Sequence, residues 1–227
     1  MRRTKIVCTL GPSSSSSETI RSLILAGMDV ARINLSHGSL DDALELYRTI
    51  RGVAADMDRT VGIMVDLPGP KVRLGAFDGA TELQAGTPIR LVPGRESSDS
   101  TLLGVAYQGL LLDVHPGDSL AVGDGSVTLT VESVGRENVE AVVSHGGTLQ
   151  GRPGLHIPSD RLGMASPTTE DFRLLDAFID AGVDMVALSF VRSGHDIRRV
   201  GTEPHPRGPL LVAKIETRAA VQNLEGI

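Results

Sequence analysis

The chain has 227 residues, with 28 acidic against 22 basic side chains, a formal net charge of -6 and an apolar fraction of 41%. That length buries a sizeable core in one large domain or two smaller ones, and the acidic balance argues against a nucleic-acid or anionic-membrane partner. Cys8 is the only cysteine, which excludes an internal disulfide and suits a reducing cytoplasm, and no apolar run approaches the ~18 residues of a membrane span.

Aromatic residues make up 3% and tryptophan is absent, so the core is expected to be aliphatic. Lys5 to Leu10 reads as a short buried strand ended by Gly11-Pro12. Ser15 to Glu18 fits a capping box, in which Ser and Glu side chains satisfy the first free amides of a helix. That helix carries Ile20, Leu23 and Ile24 on one face and stops at Gly27. The cycle then repeats: a strand over Asp29–Asn34, a helix opened by Ser39 with Leu40, Ala43, Leu44, Tyr47 and Ile50 at helical spacing, and a third strand over Val61–Asp66. Near-continuous apolar strands alternating with helices predict a parallel sheet.

From about Arg73 to Arg161 the texture changes to short alternating segments, such as Ser126–Glu132 and Asn138–Ser144, separated by Gly- and Pro-rich turns. This predicts a small antiparallel β-domain, with a mobile loop at Glu96–Thr101. After Pro167 the first texture returns. A helix over Thr169–Ala181 turns Phe172, Leu175, Phe178 and Ile179 inward and closes at Gly182; strands follow over Asp184–Val191 and Leu210–Ile215. The domains read as 1–73 and 162–227 for one α/β domain, interrupted by 74–161. Five parallel strands are counted, where a closed (β/α)8 barrel needs eight and ~250 residues of its own. The fold class is α/β: an incomplete (β/α)8 barrel with a small antiparallel β-barrel inserted after its third strand.

In such a barrel the chemistry gathers at the C-terminal ends of the strands. Arg32, Asn34, Ser36 and His37 lie at or just after the end of the second strand, Asp66 and Lys71 to Arg73 of the third, and Lys214 and Glu216 of the fifth. Guanidinium, ammonium and carboxylate groups on one face suit an anionic substrate and a divalent metal. Only three lysines occur, Lys5, Lys71 and Lys214.

These same residues carry a resemblance to pyruvate kinases. Thr4–Pro12, Ala26–Gly38 and Asp66–Arg73 resemble the opening, second and third strand motifs of that family. Val114–Asp118 and Gly123–Gly125 are similar to its inserted lid, and Met185–Arg192 and Ala213–Glu216 to its later strands, all in the family's order. The resemblance implies phosphoryl transfer between phosphoenolpyruvate and ADP, giving pyruvate and ATP, by positioning and charge neutralisation. It implies that Arg32 holds the moving phosphate and Lys214 stabilises the developing enolate and phosphoryl charge. Glu216 would ligate Mg²⁺ or Mn²⁺. Arg73, Pro12, His37 and Asp124 would face the nucleotide, with Asp124 coming from a lid that closes over the site. It further implies a cytoplasmic enzyme that is a homotetramer at full length.

Three departures from the family pattern stand out. Many members bind K⁺ through residues resembling Asn34, Ser36, Asp66 and the position of Leu67, where they carry Thr, and have Glu at the position of Lys71. The Lys71 ammonium is expected to supply that charge internally, so K⁺ is not expected to be required. Pro153 stands where relatives have a nucleotide-binding lysine, and Arg152 is the candidate substitute; Gly123 replaces the first of two aspartates. The family's Ala-Arg-Gly-Asp-Leu-Gly motif, with its second Mg²⁺ aspartate, does not occur in the 227 residues. The reading is therefore a fragment of a pyruvate kinase, not expected to turn over alone. The alternatives are a catalytically inactive remnant acting as a binding or assembly partner and, disfavoured by the inserted β-domain, an aldolase-like lyase.

Overall fold

The computed structural model describes residues 3–123, 125–158 and 162–227. In chain order the elements are β1 (Val7–Leu10), α1 (Ser17–Ala26), β2 (Val30–Asn34), α2 (Leu40–Asp56) and β3 (Gly62–Asp66). Next come β4 (Ala76–Leu83), β5 (Pro88–Pro93), β6 (Ser97–Ser98), β7 (Leu102–Val105), α3 (Leu110–Asp113), β8 (Ser119–Val122), β9 (Val127–Val134), β10 (Val139–His145), β11 (Gly147–Gly151) and β12 (Leu155–His156). The chain ends through α4 (Thr169–Asp180), β13 (Met185–Leu188), α5 (Gly194–Arg198), β14 (Leu210–Ala213) and α6 (Arg218–Gln222). Two units form: Met1–Pro70 with Ala165–Ile227, and Lys71–Met164.

The first unit is an α/β layer on a five-stranded parallel sheet, ordered β1-β2-β3-β13-β14. Its helices start where polar caps free the backbone from the strands. Ser16, one residue later than the sequence pattern suggests, caps α1 by accepting the Thr19 N–H at 3.2 Å. Ser39 with Asp42, and Thr168 with Asp171, form reciprocal boxes at α2 and α4. Gly27 ends α1 at φ 103°, a conformation that costs any other residue a Cβ clash. On α4 the buried stripe is Asp171, Leu174, Leu175 and Phe178, while Ile179 is 37% exposed. The expected inward Ile179 is thus corrected to Leu174: the face centred on Asp171, Leu174, Leu175 and Phe178 leaves Ile179 at its edge.

The core of this unit is Ile20, Ile50, Ile63, Val65 and Phe178, all fully buried, with Tyr47 edge-on to Phe178 at 6.0 Å. Tyr47 Oη also reaches the Ala181 and Gly182 carbonyls at 2.8 and 3.0 Å. Beside it Arg51 bonds Asp184 Oδ2 at 2.7 Å, and the same oxygen accepts the Ile63 N–H at 2.6 Å. These contacts pin the N-terminal ends of β3 and β13, which in parallel α/β folds is the end that serves stability.

The second unit has a six-stranded sheet, β12-β8-β9-β10-β5-β7, and a three-stranded one, β11-β4-β6. It is not purely antiparallel, because β5–β7 and β4–β6 pair in parallel. The chain leaves β5, crosses to the other sheet as β6 and returns, so β7 runs in the direction of β5. The expected loop at Glu96–Thr101 is therefore this crossing. Asp99 Oδ1 holds it by accepting the Thr101 and Leu102 N–H groups at 2.8 and 2.9 Å, and buried Ser98 accepts the Gly104 N–H at 3.1 Å.

Within the same unit Tyr107 donates to Asp113, whose Oδ2 also takes the Gly163 N–H at 2.7 Å. Burial and the bond to Asp113 push the Tyr107 phenol from 10.0 up to about 12. The folded state therefore holds this proton more tightly than the unfolded chain. The resulting stability is complete below pH 10 and is lost as pH rises through 12. Urea unfolding across that window is expected to show a falling midpoint that Tyr107→Phe flattens; an equally steep fall in the variant would exclude Tyr107 as its source.

Candidate active site

Parallel strands end together, so one edge of the first unit's sheet gathers the residues that close each strand. Registers pair Thr9 with Arg32, Arg32 with Met64, Asn34 with Asp66, and Ala187 with Asp66. Because side chains alternate between faces, Arg32 and Asp66 lie on the same face of adjacent strands. β13 stops at Leu188, short of the expected Val191, because the next two residues leave the extended conformation. Lys214 and Glu216 follow β14 directly.

Asp66 is the hub. It is 2% exposed, and both its oxygens are engaged. Oδ2 accepts Arg32 Nε at 2.9 Å and Nη2 at 2.5 Å, while Oδ1 lies 3.1 Å from Lys214 Nζ and 3.2 Å from Ser189 Oγ. A carboxylate taken out of water is tolerated when cations and donors replace its hydration. Here two cations share it, each still about a quarter exposed: Arg32 at 27% and Lys214 at 28%. Arg32 is steadied further by Thr9 Oγ1 at 2.8 Å from its Nη1.

Lys214 Nζ donates to Asp66 and to Ser189 Oγ, the latter at 2.7 Å, and pairs with Glu216 Oε1 at 3.1 Å. Glu216 Oε2 accepts the Phe190 N–H at 3.0 Å. Phe190 reaches it from a φ of 55°, unusual for any residue other than glycine. Such a backbone costs on the order of 1–3 kcal/mol, which a hydrogen bond to an ionised carboxylate, worth about 1.5–3 kcal/mol, offsets. Two cations and two carboxylates make the cluster formally neutral, with Asp66 buried and Arg32, Lys214 and Glu216 each partly exposed.

A cavity of about 780 Å³ in this unit is lined by Thr9, Gly11, Pro12, Asn34 and His37 among others. It brings together Pro12 and His37 next to two residues of the strand ends. Asn34 Oδ1 accepts the Ser36 N–H at 3.1 Å, so both belong to the turn leading to α2. Leu67 is 1% exposed and packs into the core. Lys71, Arg73 and Arg152 belong to the second unit, where Arg73 Nη1 donates to the Arg152 carbonyl at 3.3 Å and Lys71 is exposed. Asp124 lies outside the described residues.

Three participants escaped the sequence reading. Thr9 and Ser189 are polar residues closing apolar strands, and that signal, already applied to Arg32 and Lys214, would have found them. The Phe190 contact uses a backbone group, which no side-chain pattern announces.

Compared with known proteins, residues 1–227 match the family model described as pyruvate kinase, barrel domain. A pyruvate kinase of Thermococcus litoralis is 39% identical over 228 residues, covering 99% of this chain and 48% of that protein. Pyruvate kinases of Mycobacterium tuberculosis and Corynebacterium glutamicum are 38% and 40% identical, each covering 100% of this chain and 48% of the relative. The chain thus spans about half the length of the curated relatives it matches. Identity at this level over the whole sequence, together with the family-model match, shows that the chain belongs to the pyruvate kinase family.

Proposed function

We propose that this chain supplies the phosphoenolpyruvate- and metal-binding part of an enzyme that transfers a phosphoryl group between phosphoenolpyruvate and ADP, giving pyruvate and ATP. The observation that carries the reading is Asp66 holding Arg32 and Lys214 side by side, with Glu216 on the far side of Lys214. A planar guanidinium grips phosphate oxygens in pairs. An ammonium beside it stabilises negative charge as it builds on the enolate and the moving group. Pro12 and His37, on the 780 Å³ cavity, suit the nucleotide side. The family resemblance also gives Arg73, Arg152 and Asp124 nucleotide roles, and β1, β2, β3, β13 and β14 are read as five strands of a (β/α)8 barrel with the second unit as its inserted lid. A homotetramer is the proposed assembly of the whole enzyme.

The donor set fits a hard divalent ion. Glu216 is one carboxylate, 34% exposed, with both oxygens only partly used by Lys214 and Phe190. Among the described residues no group of three or more His, Cys, Asp or Glu side chains forms a metal cage. Mg²⁺ commonly takes one or two carboxylates and completes its shell from water and phosphate, so Glu216 would hold it and the ion would neutralise phosphate charge. Among the described residues no helix is long and apolar enough to cross a membrane.

Assaying the native gene product for ATP formed from phosphoenolpyruvate, ADP and Mg²⁺ tests the reading, and absence of that product sinks it. The same assay addresses the monovalent ion. Asp66 already has Arg32 and Lys214 against it, and Lys71 adds a further ammonium to the sequence. Adding K⁺ at fixed ionic strength is expected to leave turnover essentially unchanged, and a many-fold rise would overturn K⁺ independence.

A further inference from the structure

We infer that Phe190 is a positioning residue: its left-handed backbone aims an N–H at Glu216 and fixes the carboxylate through which a divalent cation binds. The inference rests on the metal-ligand reading of Glu216. Phe190 has a φ of 55°, where a bulky side chain is disfavoured, and outliers of this kind persist only where the surroundings over-determine them. The surroundings do so. Ser189 Oγ lies 2.7 Å from the Leu67 carbonyl, and the Ser189 carbonyl accepts the Ser166 hydroxyl at 2.8 Å. Across the turn, Gly69 leaves no room for a larger residue: a Cβ there would sit 2.9 Å from the Phe190 ring and 3.1 Å from the Ser189 carbonyl oxygen. Gly69 is itself tied to buried Asp171 through its N–H, at 3.0 Å.

What this arrangement delivers is the 3.0 Å contact from the Phe190 N–H to Glu216 Oε2. Glu216 Oε1 is held by Lys214, but Lys214 is shared with Asp66 and Ser189 and has anionic charge to meet during turnover. The backbone donor is set by the main-chain turn at Phe190 rather than by a flexible side chain. It keeps one oxygen fixed while leaving lone pairs on both for a cation. Donors of this kind behind a metal carboxylate typically matter ten- to a hundredfold in metal affinity.

The test compares Phe190→Gly with Phe190→Val in the native protein, using Mn²⁺ as probe and electron paramagnetic resonance to read free ion. Glycine adopts this φ without strain and keeps the N–H; valine keeps more of the side chain but resists the conformation. Positioning predicts that Phe190→Val weakens Mn²⁺ binding by about tenfold while Phe190→Gly retains it. A packing role predicts the reverse order, and that result overturns the inference. A second readout needs no metal: the Phe190 amide proton is expected to shift upfield and exchange faster in Glu216→Ala, and an indifferent amide also overturns it. Mn²⁺ affinity unchanged by Glu216→Ala would remove Glu216 from the metal and the inference with it, whatever the amide does.

Discussion

Replacing Lys214 by methionine is expected to lower kcat for the proposed phosphoryl transfer by about 10²–10³-fold or more, the loss typical of removing one preorganised charge-stabilising donor, with little change in folding. Methionine preserves most of the aliphatic stem and deletes the ammonium. Neither carboxylate it touches is left bare, since Asp66 keeps both bonds from Arg32 and Glu216 keeps the Phe190 N–H. The stability cost is therefore small while the chemical cost is large. Lys214→Arg is not a rescue: the guanidinium fork cannot reproduce a compact ammonium placed among Asp66, Ser189 and Glu216. Steady-state rates and a thermal melt on the same preparation settle it, and near-normal turnover removes Lys214 from its proposed role.

Asp66→Asn reverses the pattern, with a large effect on the fold. Asp66 is 2% exposed and neutralises two cations at once. Removing one partner of a buried ion pair costs up to about 3–5 kcal/mol, tempered here because Arg32 and Lys214 keep some hydration and Lys214 keeps Glu216. An amide carries only one acceptor oxygen, and its NH₂ would point at Arg32 or Lys214. Urea unfolding measures the loss. Arg32→Met should cost less, since Lys214 and Ser189 still hold Asp66. A drop below about 1 kcal/mol for Asp66→Asn would mean that pairing merely balances desolvation here.

The parallel sheet was legible because its strands are apolar runs punctuated by Gly, Pro and capping residues. The strand-ending positions of Arg32, Asp66, Lys214 and Glu216 followed from that reading alone. What sequence pattern missed are features created by tertiary contacts. Periodicity placed Ile179 on the inner face, but the buried stripe passes through Leu174. The Glu96–Thr101 segment read as a mobile loop; pairing of Ser97 and Ser98 with β4 makes it a crossing between sheets. Asp66 was legible as a strand-ending carboxylate, but not its pairing with Arg32 from the strand beside it and with Lys214 from 148 residues further on. Alternation along a strand says which face a residue takes, not which distant charge meets it.

Asp171 carries a consequence for how the active end of the sheet fails. One of its oxygens closes the cap of α4 by accepting the Thr168 N–H at 2.7 Å, and the other accepts the Gly69 N–H. The first turn of that helix and the bend against which Phe190 turns are therefore one mechanical piece. A substitution at Thr168 reads on paper as a minor helix-end change remote from substrate. Its effect would travel through a single buried carboxylate to the aim of Glu216, so the metal affinity proposed for that carboxylate would fall before helix content did.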